Sequence, residues 1–360
     1  MRPLLCGYYG EHNIGDDLLL QALLHQLPSG CRPLVTARDQ EEVRRCFGVE
    51  TCARRPVGTV LAALGRCDAL VLGGGSLLQD STSFASLLYY AALIAAARLR
   101  GLPVLLWAQG LGPLRRRRSR LLVRWLLPMV QGITWRDAAS ARMAAQWGIR
   151  APVGSDPVWS LPAIASTSDG RGPIVLCWRD SHQLDARRWR QLLEALGLLV
   201  ARNGVEVIWL PFHRDQDSGL LQRLQAQDLV PADLAAHSRE CALASPHDCQ
   251  TLFGKASLVL AMRLHGLILA ALSGPACVAL SYDPKVSAAA DALGCPVLSL
   301  DDLDDGQPAA ALADRWSQVL GRGTPPEHLV SLRNATAVHA DLLARWLGAD
   351  APQLASPKAT

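Results

Sequence analysis

Residues 259–285 read VLAMRLHGLILAALSGPACVALSYDPK, and the order of apolar runs and charges in them decides the fold. Residues 257–262 and 276–281 have the short, continuous apolar character of strands buried on both faces. Between them, residues 264–272 are apolar helix formers that stop at Gly274-Pro275, a fitting helix exit. A strand, a helix and a second strand joined by a right-handed crossover make a parallel pair. Arg263 and His265 then leave the carboxyl end of the first strand, and Asp283 and Lys285 that of the second. Open parallel sheets take ligands outside those ends. Cations and a titratable imidazole are therefore expected to converge on one crevice.

The same alternation recurs on either side. In the second half, residues 174–178 and 206–210 read as strands, and 186–201, 309–320 and 331–347 as helices. In the first half, strands are expected at 3–9, 33–36, 69–72, 103–107 and 132–135, with helices at 17–27, 40–47, 56–67 and 87–100. Residues 160–173 carry proline, serine, glycine and aspartate without periodicity and read as a linker. The expectation is an α/β chain of two Rossmann-like domains facing each other across a cleft, with a glycosyltransferase-B-like architecture. The N-terminal domain covers 1–159 and the C-terminal domain 174–330, and the helix at 331–347 packs back on the first.

Composition narrows the function. The chain has 360 residues, 50% of them hydrophobic, enough for two cores. A formal charge of +4 is too small to call for nucleic acid. Only three of the 36 basic residues are lysines (Lys255, Lys285 and Lys358), so Lys285 stands out as a compact ammonium among planar forks. Ten cysteines without a Cys-x-x-Cys pair fit a reducing cytoplasm and imply no metal site. Met1-Arg2-Pro3 runs directly into a strand rather than a secretory signal, and residues 84–97 are too short to span a membrane. Arg115 to Arg118 and Arg120 lead into Leu121-Leu122-Val123-Arg124-Trp125. Such a run reads first as the solvated start of a packed helix, and second as a peripheral contact with the inner face of the cytoplasmic membrane.

The remaining chemistry sits at strand ends. Gly7-Tyr8-Tyr9-Gly10-Glu11-His12-Asn13-Ile14-Gly15-Asp16-Asp17 follows the first strand. The spacing is not Gly-x-Gly-x-x-Gly, which argues against an NAD-dependent oxidoreductase, and two aspartates would repel a phosphate; a sugar hydroxyl suits the loop better. Gly73-Gly74-Gly75 is either a tight turn or a place where backbone approaches a ligand. Ala108-Gln109-Gly110, Arg136-Asp137 and His213 also follow strands. A crevice lined by Arg136, Arg263, His265 and Lys285 suits a small, multiply charged anion, since guanidinium grips carboxylate or phosphate bidentately and imidazole moves protons near neutral pH. The residues by themselves do not name that anion.

Taken together, Gly7 to Asp16, Gly73-Gly74-Gly75, Ala108-Gln109-Gly110-x-Gly-Pro113, Arg136-Asp137, Arg263-Leu264-His265 and Tyr282-Asp283-Pro284-Lys285 have the order and spacing of the polysaccharide pyruvyl transferase family. The chain resembles its CsaB-type bacterial cell-wall members over about residues 3–296. It differs in Asp17, where a glutamate is usual, and in His12, where a small residue is usual. The resemblance implies transfer of pyruvate from phosphoenolpyruvate to a sugar of a cell-wall or surface polysaccharide precursor, a lipid-linked one, with release of phosphate. It further implies Arg136 and Arg263 clamping the donor from opposite domains, with Gly73 and Gly74 beside it. His265 would act as general acid/base, Lys285 would meet the leaving charge, and Asn13, Asp16 and Gln109 would hold the acceptor. Neither cofactor nor metal is implied, and a homo-oligomer is left open. Two other classes stay open: a glycosyltransferase using a nucleotide sugar on the same architecture, and a non-catalytic anion-binding protein held at the membrane through Arg115 to Arg120.

Overall fold

The computed structural model describes residues 1–81, 83–168, 170–243, 245–303, 308–349 and 351. Residues 304 and 305 of the acidic stretch after Leu300, Lys358 and most of the tail after Gly348 lie outside them. The chain forms two compact units. The first takes Met1–Glu11, Asp16–Leu161 and the chain from Leu332 onward; the second takes His12–Gly15 and Pro162–Ser331.

The first unit is built on seven parallel strands: β1 (Pro3–Cys6), β2 (Leu34–Ala37), β3 (Glu50–Ala53), β4 (Ala69–Leu72), β5 (Gly75–Leu78), β6 (Val104–Leu111) and β7 (Gly132–Trp135). Their order is β3-β2-β1-β4-β6-β5, with β7 also paired to β6. The second unit has β8 (Ile174–Cys177), β9 (Val207–Trp209), β10 (Ser238–Glu240), β11 (Leu258–Ala261), β12 (Ala276–Ser281) and β13 (Val297–Ser299), in the order β10-β9-β8-β11-β12-β13, all parallel. In both, the first strand lies centrally and the chain winds outward in two directions. The turning points fall between β1 and β4 and between β8 and β11.

The central strands are predominantly apolar because helices cover both faces of a parallel sheet. Every residue of β1, β4, β6, β8, β11 and β12 is buried. The edge strands β3 and β10 are half-exposed, carry polar residues and escape a reading based on apolar runs. Helix starts are fixed by side-chain oxygens: Asp39, Ser83, Asp137, Asp185 and Ser245 accept the N–H three residues on, each cap contributing about 1 kcal/mol.

Several boundaries differ from expectation for identifiable reasons. The first helix begins at Ile14 rather than residue 17, with the Gly15 N–H donating to Asn13 Oδ1 at 3.1 Å. The segment expected at 331–347 is two helices, Pro326–Asn334 and Ala337–Leu347. Asp283-Pro284-Lys285 is a helix start: Asp283 caps Pro284–Leu293, and proline occupies the first turn, where its missing N–H costs nothing. The segment expected as a linker runs along the second unit, with Ile164 N–H donating to Leu272 O (2.8 Å) and Thr167 N–H to Gly254 O (2.8 Å).

The helix Ala337–Leu347 packs on β6 and β7. His339 is fully buried there; Nε2 lies 2.9 Å from Ser155 O and Nδ1 2.8 Å from Thr134 Oγ1. A carbonyl only accepts, so Nε2 carries the proton and Nδ1 accepts from the Thr134 hydroxyl. That hydroxyl in turn accepts the Ala108 N–H at 3.0 Å. No helix among the described residues is long and apolar enough to cross a membrane.

Candidate active site

The turning point of the second unit lies between β8 and β11, whose last paired residues are Cys177 and Ala261. Two residues beyond each stand Arg179 and Arg263. The helix Leu264–Leu272 begins at once, and its Gly266 allows the close approach: a Cβ there would lie 3.1 Å from Cys177 Cβ and 3.2 Å from its sulfur. Arg263 caps this helix by backbone only, so its side chain is left for other work. The guanidinium turns to the short helix Arg214–Asp217. Its Nε donates to Asp217 Oδ2 at 3.0 Å, and Nη2 donates to Asp217 Oδ1 and to Gln216 Oε1 (3.1 Å). The Asp217 side chain is fully buried and also accepts the His213 N–H at 2.8 Å. A two-pronged contact to a carboxylate that cannot move fixes the guanidinium plane.

His265 lies two residues further on, in the first turn of the same helix, half-buried. Residues 12–15 reach it from the glycine loop. Ile14 N–H donates to Phe212 O (3.0 Å) and Arg214 N–H to His12 O (2.9 Å), around a single antiparallel bridge between Asn13 and His213. A Cβ on Gly15 would lie 2.6 Å from His265 Nδ1 and 3.3 Å from its Cβ, so the imidazole rests on the Gly15 backbone. The one short loop thus meets both histidines. His213 is half-buried and its Nδ1 has no hydrogen-bond partner. Burial, then the nearby Arg263 charge, hold its pKa below the ordinary imidazole value, against the pull of Asp217 and Asp215.

Lys285 stands past the neighbouring strand end, β12, and is exposed; its N–H donates to the capping Asp283 Oδ1 at 2.9 Å. Beside it, Tyr282 OH accepts from Arg179 Nη1 at 3.3 Å, and the Arg179 guanidinium sits 5.2 Å from the Tyr282 ring centre. Reading the sequence missed Arg179. The signal was there: Trp178-Arg179-Asp180 after β8 repeats Trp135-Arg136-Asp137 at the end of β7. It missed Asp217 too, which resembles any acid in a polar loop.

Arg136, Gln109, Gly73, Gly74 and Asp16 belong to the first unit. Arg136 is fixed as Arg263 is, by a buried aspartate: Nη1 donates to Asp156 Oδ2 at 3.2 Å and Nη2 to Ser76 Oγ at 3.3 Å, leaving the side chain 8% exposed. Gln109 is buried. Its Nε2 donates to Leu72 O (3.1 Å) and Trp107 O (3.3 Å), and its Oε1 has no partner. Ala108 before it takes the left-handed conformation, φ 48°, where the β6–β7 register shifts, which a side chain larger than methyl would resist. Gly73 and Gly74 are buried against side chains, not open to a ligand. A Cβ on Gly73 would lie 2.0 Å from Tyr9 OH, and one on Gly74 2.9 Å from Leu19 Cδ2. Asp16 and Asp17 occupy the first turn of Ile14–Gln26, where negative charge favours the helix, and Asp17 Oδ1 accepts the Gly10 N–H at 3.3 Å.

Residues 13–284 match the family model of polysaccharide pyruvyl transferase. A search of curated protein sequences finds no match. Among solved structures, the chain is similar to UDP-GlcNAc 2-epimerase from Methanocaldococcus jannaschii, with a TM-score of 0.61 at 10% identity over 96% of this chain and 99% of that one. It is also similar to UDP-GlcNAc 2-epimerase from Neisseria meningitidis bound to UDP-GlcNAc, with a TM-score of 0.60 at 12% identity over 95% and 99%. The ADP-heptose lps heptosyltransferase II of E. coli gives a TM-score of 0.50 at 15% identity over 89% and 98%. At these identities the likeness shows the fold alone: two parallel-sheet α/β domains, glycosyltransferase-B-like.

Proposed function

This chain belongs to the polysaccharide pyruvyl transferase family, and we propose that it transfers the enolpyruvyl unit of phosphoenolpyruvate to a sugar, making a pyruvate ketal and releasing phosphate. The acceptor in this reading is a cell-wall or surface polysaccharide precursor, lipid-linked and handled at the cytoplasmic face of the membrane. The observation that carries it is the pairing, at one turning point, of Arg263 held on buried Asp217 with His265 resting on Gly15. A pre-oriented guanidinium beside an imidazole fits a substrate with a carboxylate, a phosphate and a carbon to be protonated.

The steps balance without a cofactor. A sugar hydroxyl adds to C2 of phosphoenolpyruvate while C3 takes a proton, turning the methylene into a methyl group. A second hydroxyl of the same sugar then displaces phosphate from C2, closing the ketal, and its proton leaves with the phosphate. His265 is the acid/base that delivers the proton to C3. Arg263 holds the donor's charges; Arg136, fixed on Asp156 in the first unit, is a further cation suited to carboxylate or phosphate. Lys285 offsets charge on the departing phosphate. Asn13 and Asp16 serve the acceptor. Gly73, Gly74 and Gln109 are engaged in packing around Tyr9 and Leu72 and take no direct part.

Thermal melting with phosphoenolpyruvate and, separately, with UDP-GlcNAc tests the donor. Phosphoenolpyruvate at about 100 times its dissociation constant should stabilise by about 2.7 kcal/mol. Stabilisation by UDP-GlcNAc with none by phosphoenolpyruvate would sink this reading in favour of a nucleotide-sugar transferase.

A further inference from the structure

One feature of the first unit serves neither the sheet nor the candidate site. Residues 113–128 hold six arginines and no acid. The segment is firmly placed: buried Asp80 accepts the N–H groups of Arg115 (2.8 Å) and Arg116 (2.9 Å), after which the helix Arg117–Leu126 begins. Its inward face buries Ser119, Val123 and Leu126. Its outward face carries Arg117, Leu121, Arg124 and Trp125, a stripe at helical spacing, with Leu121 58% and Trp125 72% exposed. Arg118 lies over the Phe84 ring at 4.2 Å, and Arg120 Nε donates to Leu114 O at 2.8 Å. Among the described residues, no carboxylate forms a salt bridge with Arg115, Arg117 or Arg124, and the acid acting on Arg116 is the buried Asp80 that anchors the segment.

A merely solvated helix face would mix signs and would not show a tryptophan and a leucine side by side. The complementary partner must offer negative charge in one layer and apolar matter just beneath it. Nucleic acid has phosphates but nothing for Leu121 and Trp125 to enter. A second copy of this face would set arginine against arginine. The boundary between headgroups and acyl chains of an anionic bilayer meets both demands.

We propose that the Arg117–Leu126 helix is an interfacial membrane dock, in which Leu121 and Trp125 enter the acyl boundary and Arg115, Arg116, Arg117 and Arg124 meet the phosphates of anionic lipids. The proposal does not depend on which donor or acceptor the enzyme uses.

Co-sedimentation of the full-length protein with vesicles tests it. The protein should sediment with phosphatidylcholine vesicles containing phosphatidylglycerol, not with phosphatidylcholine alone, and less as salt rises. Arg117→Ala and Arg124→Ala should each lower the partition coefficient about fivefold. Leu121→Ser/Trp125→Ser, at unchanged charge, should lower it on the order of tenfold or more. Leu198→Ser, at an exposed leucine of the second unit, should change nothing. All these side chains are exposed, so melting temperatures near wild type verify the fold. Equal sedimentation with neutral vesicles overturns the proposal, as does indifference to Leu121→Ser/Trp125→Ser. A dimer that this double substitution splits, without vesicle binding, also overturns it and assigns the face to a second copy.

Discussion

At the carboxyl ends of β1 and β4, the first unit fills its own crevice. Tyr9 folds back over the strand ends, 1% exposed, so close that a Cβ on Gly7 would lie 2.3 Å from its ring and one on Gly73 2.0 Å from its hydroxyl. At the corresponding ends of β8 and β11, the second unit presents Arg179, Arg263 and His265 instead, and borrows Asn13 and Gly15 to steady the histidines. One winding of the chain therefore yields a plugged crevice in one place and a charged one in the other. Topology marks where a ligand fits; the side chains at the strand ends decide whether there is room. Glycines occur in both, and their meaning differs: Gly73 makes space for the Tyr9 ring, and Gly15 for the His265 imidazole that rests on its backbone.

The largest expected break concerns the second crevice. Asp217→Ala leaves the Arg263 guanidinium without its buried carboxylate and should cost about 3 kcal/mol of stability, read from urea unfolding. It should also weaken donor affinity as Arg263 loses its fixed plane. A variant with wild-type stability and affinity would mean that Asp217 does not orient Arg263.

The glycines give the next test. Gly73→Ala should destabilise by about 1–3 kcal/mol through overpacking. Tyr9→Phe should relieve part of this in the double variant, because the hydroxyl is the nearest atom and makes no hydrogen bond. Gly15→Ala sits in the first turn of a helix, where alanine itself is favourable, so its stability loss should be the smaller one. Its turnover should nonetheless fall by about tenfold or more as the His265 ring is pushed aside. If Gly73→Ala lost activity at full stability, and Gly15→Ala lost stability at full activity, the contrast would be reversed.

The smallest effect is on pH dependence. Burial lowers the pKa of His339 in the first unit and, with Arg263, that of His213 in the second. The unfolded chain then binds protons before the native one as pH falls. Stability from both neutral rings is complete above the ordinary imidazole value near 6.5 and declines below it. Urea midpoints at pH 7.5 and 5.5 should differ in that sense, and His339→Gln should reduce the difference. A midpoint independent of pH would contradict the burial of neutral histidine.

Much of this was legible in the sequence, for physical reasons. Residues 258–281 declared a strand, a helix and a strand because buried parallel strands are apolar on both faces and Gly274-Pro275 ends the helix. β3 and β10 were invisible because edge strands carry polar, half-exposed residues. The strand-end positions of Arg136 and Arg263 could be read, but their partners could not. Asp156 is 20 residues from one and Asp217 is 46 from the other, and a buried acid looks like a surface acid until the fold closes round it. The meeting of Asn13 with His213 is a pairing across most of the chain that no local pattern announces.

The proposed reaction turns on His265 giving a proton to C3 of phosphoenolpyruvate. Wild-type protein and His265→Ala can be incubated in deuterium oxide with phosphoenolpyruvate and a cell-wall glycan acceptor, following phosphate release and the product's methyl group by NMR. The expected product is a pyruvate ketal whose methyl carries one solvent deuterium, with turnover about 10²–10⁴-fold lower in His265→Ala and donor binding retained. A ketal without solvent deuterium, or His265→Ala turning over at the wild-type rate, would contradict it.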